Sequence, residues 1–233
     1  TLPIMSRGVV LGLLAFFTEK DEPVFTDESF RLIETFSDYL SIAVENARNY
    51  QRVRELTVTD DLTKLYNSRY LHLVLERELA RSERYNENFS IVFIDLDNFK
   101  MINDQNGHMA GSLLLKEFGD YLVQIVRTSD IAIRYGGDEF VLVLPRTSKA
   151  EAIQFVTRAR DQLRERLFLK ARQLQIKCTA SFGISTFPED GHSIDQLISA
   201  ADKAMYIVKK GAKDGVHAYT RPATLIKGER SSS

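Results

Sequence analysis

The sequence predicts an α/β (α+β) layer fold, with one covered sheet of short, antiparallel-capable strands and a long helix in front of it. Three observations carry that prediction. Stretches of helical period alternate with short apolar runs of strand character. A Gly-Gly pair stands between two of those runs, where a hairpin would turn. An apolar seam of alternating three- and four-residue spacings precedes them all. With 44% apolar and 27% charged side chains over 233 residues, the chain can bury a real core. Its net charge of −1 argues against a broad nucleic-acid or anionic-membrane surface but leaves room for a small anionic ligand held by local cations. One cysteine, Cys178, permits no internal disulfide, and a reducing, cytoplasmic setting is expected. The runs VVLGLLAFF and SIVFID are too short to span a membrane, and the first lacks a basic leader and a cleavage site, so neither a membrane segment nor a signal peptide is expected.

In chain order, GVVLGLLAFF reads as a strand and TEKDEP as a charged turn. A long helix begins near Thr26, with Asp27 and Glu28 completing cap and first-turn chemistry. Ile33, Phe36, Leu40, Ala43, Ala47 and Tyr50 form its seam, and Val53 and Leu56 continue it in a shifted register. That pattern suits a single amphipathic helix or a two-chain coiled coil. The polar stretch from Arg48 to Thr57 favours the coiled coil, and hence a homodimer through this helix. From Thr59 the pattern changes. Asp60 or Asp61 can cap a helix carrying Leu71, Leu75 and Leu79. There follow strand FSIVFIDLD, helix HMAGSLLLKEFGDYLVQIV, the hairpin IAIRYGGDEFVLVL, helix KAEAIQFVTRARDQLRERL, strand QIKCTASFGISTF and helix SIDQLISAADKAMYIVKK. The tail, 222–233, is expected to be disordered.

Two segments carry candidate chemistry. In FSIVFIDLDNFK, strand alternation puts Asp95 and Asp97 on one face at the end of a core strand, with Lys100 close behind. Simple solvation of a strand end explains many such aspartates. A pair of acids followed by a lysine also suits magnesium and phosphate. In RYGGDEFVLVL, Asp138 and Glu139 directly follow Gly136 and Gly137, which accept positive φ and admit a ligand close to the backbone. Alone this is a common polar turn; beside Asp95 it would complete a metal site.

RYGGDEF is the defining motif of the GGDEF family, and the chain resembles that family over residues 60–221. DDLTKLYNSRYL, IDLDNFKMINDQNGH, TASFGI and ADKAMYIVK match further family motifs in the right order. The resemblance implies a fold like the adenylyl cyclase catalytic domain and the polymerase palm, with a central, mainly antiparallel sheet wrapped by helices. It also implies a magnesium-dependent nucleotidyltransferase, with manganese as a possible substitute. Asp95 and Asp138 would ligate the metal, with the Leu96 carbonyl assisting, and Glu139 would help with the metal or deprotonate the attacking hydroxyl. Lys100, Lys209, Lys213 and the Asn98 and Phe99 amides would hold the triphosphate, although arginine is more usual at position 213. Asn103 would hydrogen-bond the base, with His108 shaping that pocket. Residues 1–46 are similar to the C-terminal part of a GAF domain, on GVVLGLLAF, FTDESFRLI and AVENAR, which leaves 47–59 as a signalling helix.

The family usually reads G-H-x-x-G-D where this chain reads GHMAGS, so Ser112 replaces an aspartate that accepts from guanine. A carboxylate only accepts, whereas a hydroxyl donates or accepts. Ser112 therefore resembles the Hypr subset, which makes 3′,3′-cyclic GMP-AMP beside other cyclic dinucleotides from GTP and ATP. The alternative is a tolerated change in an ordinary diguanylate cyclase that makes only c-di-GMP. Arg127 and Asp130 fit the family's R-x-x-D inhibitory site for the cyclic dinucleotide product, with Arg158 as its second arginine; a plain surface ion pair is the alternative. A non-catalytic receptor that keeps only this inhibitory site is a further reading, opposed by the intact RYGGDEF, Asp95 and Lys100.

Overall fold

The computed structural model describes residues 2–6, 9–15, 26–56 and 58–221. The chain divides into two compact units, 1–57 and 58–233. The charged turn at 18–23 and the tail at 222–233 lie outside the described residues.

In the first unit, β1 (Leu2–Ser6) pairs antiparallel with β2 (Val9–Leu14), and α1 (Asp27–Leu56) is one helix of 30 residues. It starts where the sequence expects: Thr26 Oγ1 accepts the Ser29 amide at 3.2 Å. The hairpin lies along the serine face of α1, where Ser37 donates to the Pro3 carbonyl at 3.2 Å and Ser41 Oγ accepts the Met5 amide at 3.1 Å. The seam read from the sequence therefore joins two faces. Ile33 and Leu40 are half-buried, whereas Phe36, Ala43 and Ala47 are exposed. Leu32 (74%) and Tyr39 (68%) complete the exposed stripe. The side chains of Tyr50, Val53 and Leu56 lie outside the described residues.

The second unit is built on a six-stranded sheet of order β3-β5-β6-β4-β7-β8. Its strands are β3 (Tyr66–Asn67), β4 (Phe89–Leu96), β5 (Ile131–Gly136), β6 (Glu139–Pro145), β7 (Ala180–Phe187) and β8 (Val216–Ala218). The central pairings are antiparallel, and only the edge pairs β3–β5 and β7–β8 are parallel. Five helices cover it: α2 (Ser68–Tyr85), α3 (Phe99–Asn106), α4 (His108–Ile125), α5 (Lys149–Glu165) and α6 (Ile194–Lys210). Strand alternation sorts the core. Val92, Ile94 and Leu96 of β4 join Leu114, Phe118 and Val156 on the α3–α4–α5 side. Phe89, Ile91 and Phe93 join Leu71, Leu75, Leu197 and Met205 on the α2–α6 side. Burying each such side chain contributes roughly 1.5–3 kcal/mol, before the entropy of ordering is subtracted. Helix α6 comes so close to β7 that a Cβ on Gly183 would lie 2.1 Å from the Met205 amide nitrogen and 2.2 Å from the Ala201 carbonyl.

Two local expectations are corrected. Helix α2 begins at Ser68 and is capped by Asn67, whose side chain accepts the Tyr70 amide at 3.2 Å. Asp60 instead braces a turn, accepting the Thr63 amide and hydroxyl at 2.8 and 2.7 Å. The last long strand starts at Ala180 rather than Gln175, because the preceding segment carries left-handed residues at Leu169, Gln173 and Gln175.

Candidate active site

Strand β4 is buried along its whole length, and alternation delivers Asp95 to the α2–α6 side one residue before the strand ends. Only 1% of this aspartate is exposed. In the antiparallel register Asp95 stands opposite Glu139, the first residue of β6, and the Leu96 amide donates to the Asp138 carbonyl at 3.3 Å. The β5–β6 turn thus sets Asp138 and Glu139 beside Asp95. Gly137 holds φ at +37° there, a backbone region that glycine enters without strain.

Three carboxylates so placed repel one another unless a cation intervenes. Lys209 of α6 donates to Asp95 Oδ2, while Asp95 Oδ1 is buried without a hydrogen-bond partner. Burial pushes the Asp95 carboxyl up, the Asp138 charge pushes the same way, and the lysine only partly offsets them. Burial likewise raises Glu139, with Asp95 and then Asp138 adding to it. For Lys209, burial pulls downward but the hydrogen bond to Asp95 and the surrounding carboxylates outweigh it and hold the ammonium above its usual range.

Asp95, Leu96, Asn98, Phe99, Lys100, Asp138, Lys209 and Lys213 all line one cavity of about 440 Å³. Helix α3 opens onto it, and its first amides, lacking intrahelical partners, suit an anion. Asn98 adopts φ +58° at that helix start, and its Oδ1 accepts from Lys213 Nζ at 2.6 Å. Among the described residues no three His, Cys, Asp or Glu side chains converge as a ready-made cage. Magnesium needs fewer: one or two carboxylates, completed by waters and phosphate oxygens. The orphaned Asp95 Oδ1 beside the Asp138 turn fits that demand.

Asp97 does not join this group. The strand has ended, and its carboxylate is consumed by the Thr179 hydroxyl, the Ser181 hydroxyl and the Asp214 amide at 2.7, 2.7 and 2.9 Å. The expected pair of acids sharing a metal face is therefore one that lines the cavity and one committed to the fold.

The comparisons with known proteins agree with one another. Residues 57–214 match the family model described as "Diguanylate cyclase, GGDEF domain". The chain belongs to the GGDEF diguanylate cyclase family. It is 32% identical to Diguanylate cyclase A of Treponema denticola over 220 residues, 92% of this chain and 58% of that relative. The chain thus spans little more than half of that relative's length. Among solved structures, the GGDEF domain of TpbB (YfiN) from Pseudomonas aeruginosa superposes with a TM-score of 0.67 at 31% identity, covering 70% of this chain and 94% of that one. The GGDEF domain of DgcB from Caulobacter crescentus, solved in complex with c-di-GMP, gives 0.64 at 27% identity, covering 70% and 95%.

Other expected positions of this GGDEF domain lie apart from the cavity. Glu139 lines a separate cavity of about 410 Å³ with His72, Tyr135 and Asp202. Asn103, on α3, packs against α4 so tightly that a Cβ on Gly111 would lie 1.8 Å from its Oδ1, an oxygen buried without a partner. His108 opens α4, and Ser112 follows Gly111 at that helix contact. Arg127 and Asp130 close a turn after α4, the Arg127 amide donating to Asp130 Oδ2 at 2.9 Å. Arg158 lines a cavity of about 280 Å³ between the end of α4 and α5.

Sequence reading missed Met101 and Asp104, which also line the GGDEF cavity. Their signal was the helical spacing from Lys100 to Asp104, which puts both on one face. It missed Arg134 as well. That guanidinium donates to the Gly137 carbonyl at 3.1 Å from Nε and 2.8 Å from Nη2, and pairs with Asp60.

Proposed function

We propose that this chain is a nucleotidyl cyclase that joins two GTP molecules into c-di-GMP with release of pyrophosphate. The observation carrying the reading is the meeting of opposite charges at one cavity, which Asp95 and Asp138 line together with Lys100, Lys209, Lys213 and the start of α3. The first relative is named a diguanylate cyclase, and DgcB was solved with c-di-GMP, which supports the product.

In this reading Asp95, Asp138 and the Leu96 carbonyl hold magnesium, which supplies charge stabilisation at the reacting phosphate. Lys100, Lys209, Lys213 and the Asn98 and Phe99 amides bind and orient the triphosphate. Glu139 accepts the proton of the attacking 3′-hydroxyl, a role for which its raised affinity for a proton is suited. Asn103, His108 and Ser112 receive the base. Each domain holds one nucleotide, so two copies face each other to close the ring. The exposed stripe of Leu32, Phe36, Tyr39 and Ala43 on α1 recurs at spacings of four, three and four, which supports a coiled-coil homodimer as the device that brings them together. Residues 1–46 then serve as the end of a GAF-like input domain. Arg127, Asp130 and Arg158 bind the product and inhibit.

One observation favours a second reading. Ser112 offers no carboxylate to the guanine edge, so the enzyme also accepts ATP and releases cyclic GMP-AMP as a hybrid product. Incubation with GTP, ATP and their mixture plus magnesium, with mass spectrometry of the products, decides between the two. Asp138→Ala should abolish every cyclic product while leaving the fold intact, and wild-type turnover in that variant would remove the site assignment.

A further inference from the structure

Asp97 sits two residues from Asp95 yet does not line the phosphate cavity. It is 4% exposed, and neither of its oxygens is left without a partner. Oδ1 accepts from Ser181, and Oδ2 accepts from both Thr179 and the backbone amide of Asp214. The last of these bonds reaches across 117 positions to the turn after α6. That turn is unusual: Lys213 and Asp214 are consecutive non-glycine residues with φ of 57° and 48°. Left-handed residues of this kind persist only where the surroundings over-determine them. Here the Asp214 amide is held by Asp97, and the Asp214 side chain is held by Arg164 of α5 at 2.7 Å. The residue so fixed is Lys213, which lines the cavity and whose ammonium donates to Asn98 there.

We propose that Asp97 is a positioning residue, whose buried carboxylate clamps the Asp214 amide and so holds Lys213 over the triphosphate site. It acts through the turn and touches neither metal nor nucleotide. The inference rests on the reading of Lys213 as a phosphate contact. It assigns the second aspartate of IDLD to the phosphate-binding side of the site and not to the metal.

The test measures binding of 3′-deoxy-GTP, which keeps the triphosphate but cannot attack, to the full chain, with magnesium and with EDTA. Lys213→Ala should weaken binding about tenfold, and Asp97→Ala should do the same in both conditions, as expected for loss of one charge-assisted phosphate contact. The double variant should bind no more weakly than Lys213→Ala alone, because the two act as a unit. Asp97→Asn should recover affinity to within about threefold of the native chain, since an amide oxygen still accepts the Asp214 amide while Ser181 turns to accept from the new NH₂.

Native affinity in Asp97→Ala overturns the proposal. So does an Asp97→Asn protein that binds normally in EDTA but has lost the gain from magnesium, which would make Asp97 a metal ligand. If Lys213→Ala itself binds like the native chain, the reading of Lys213 fails, and the proposal falls with it. Should Asp97→Ala fail to fold, Asp97→Ser takes its place in the same comparison: its hydroxyl still serves Thr179 and Ser181 but is too short to hold the Asp214 amide, and native affinity in that variant overturns the proposal.

Discussion

Arg134 holds the Asp60 carboxylate with one Nη1, at 3.1 and 3.2 Å from its two oxygens, across 74 positions of sequence. The rest of the same guanidinium holds the carbonyl of Gly137, the residue before Asp138. The start of the second unit and the Gly136-Gly137 hairpin therefore share one rigid fork.

Asp60 is consequently a reporter of this brace. Burial pushes its carboxyl up, but the bonds from Thr63 and Arg134 outweigh burial and hold it below the ordinary value. A depressed folded value means that the stabilisation is fully present above about pH 3.9 and is lost as pH falls through the folded value. Asp60→Asn should cost roughly 1–3 kcal/mol near neutrality. Urea melts should show the gap to wild type closing below about pH 4. Arg134→Ala should lose similar stability and lower kcat, because the hairpin loses its support.

Glu139 stands opposite Asp95 but faces a different cavity from Lys100, Lys209 and Lys213. Glu139→Gln should therefore leave nucleotide affinity within about twofold while kcat drops by about 10²–10⁴, the usual contribution of a positioned base. Steady-state kinetics beside nucleotide titration will separate the two, and a matching loss of affinity would place Glu139 in binding instead.

Ser112 follows Gly111, where the Asn103 side chain of α3 occupies the space that a Cβ would take. In the proposed base-binding role, a change at 112 acts through the donors and acceptors it offers beside Asn103. Ser112→Asp should restore an acceptor for guanine, worth about 10–150-fold in discrimination for a hydrogen bond to a charged group. Equal GTP and ATP should then yield c-di-GMP almost alone. A native enzyme already making only c-di-GMP would remove the hybrid reading and leave the cyclase reading standing.

Arg127 and Arg158 flank the end of α4, away from the cavity lined by Asp95 and Lys213. Arg127→Ala should weaken inhibition by added c-di-GMP at least tenfold without lowering the initial rate, since removing a guanidinium fork from a phosphate costs about 1.5–3 kcal/mol. Progress curves at increasing product concentration measure this directly, and unaltered inhibition would make the R-x-x-D match incidental.

Much of the second unit was legible because its signals are local. The apolar run FSIVFID marked a core strand, and Gly136-Gly137 marked the turn between β5 and β6. What could not be read depended on distant partners. Parity put Asp97 on the same face as Asp95, but Ser181 and Asp214, which consume its oxygens, lie far along the chain. Asp60 and Asn67 are both cap residues by type; Asp60 is taken up by Thr63 and the distant Arg134, and Asn67 is the one that caps the helix. On α1, apolar residues lie on both sides of the helix, so spacing alone merged the face against β1 with the exposed stripe.

At Gly183, α6 rests on β7 with backbone against backbone. Separations maintained by side chains can be retuned by exchanging one hydrocarbon for another, as cores commonly tolerate. A separation maintained by main-chain atoms has no such adjustment. The distance from the sheet to the helix that bears Lys209 is therefore a constant of the scaffold: neighbouring substitutions can change what the cavity contains, while its depth stays fixed unless this glycine is lost.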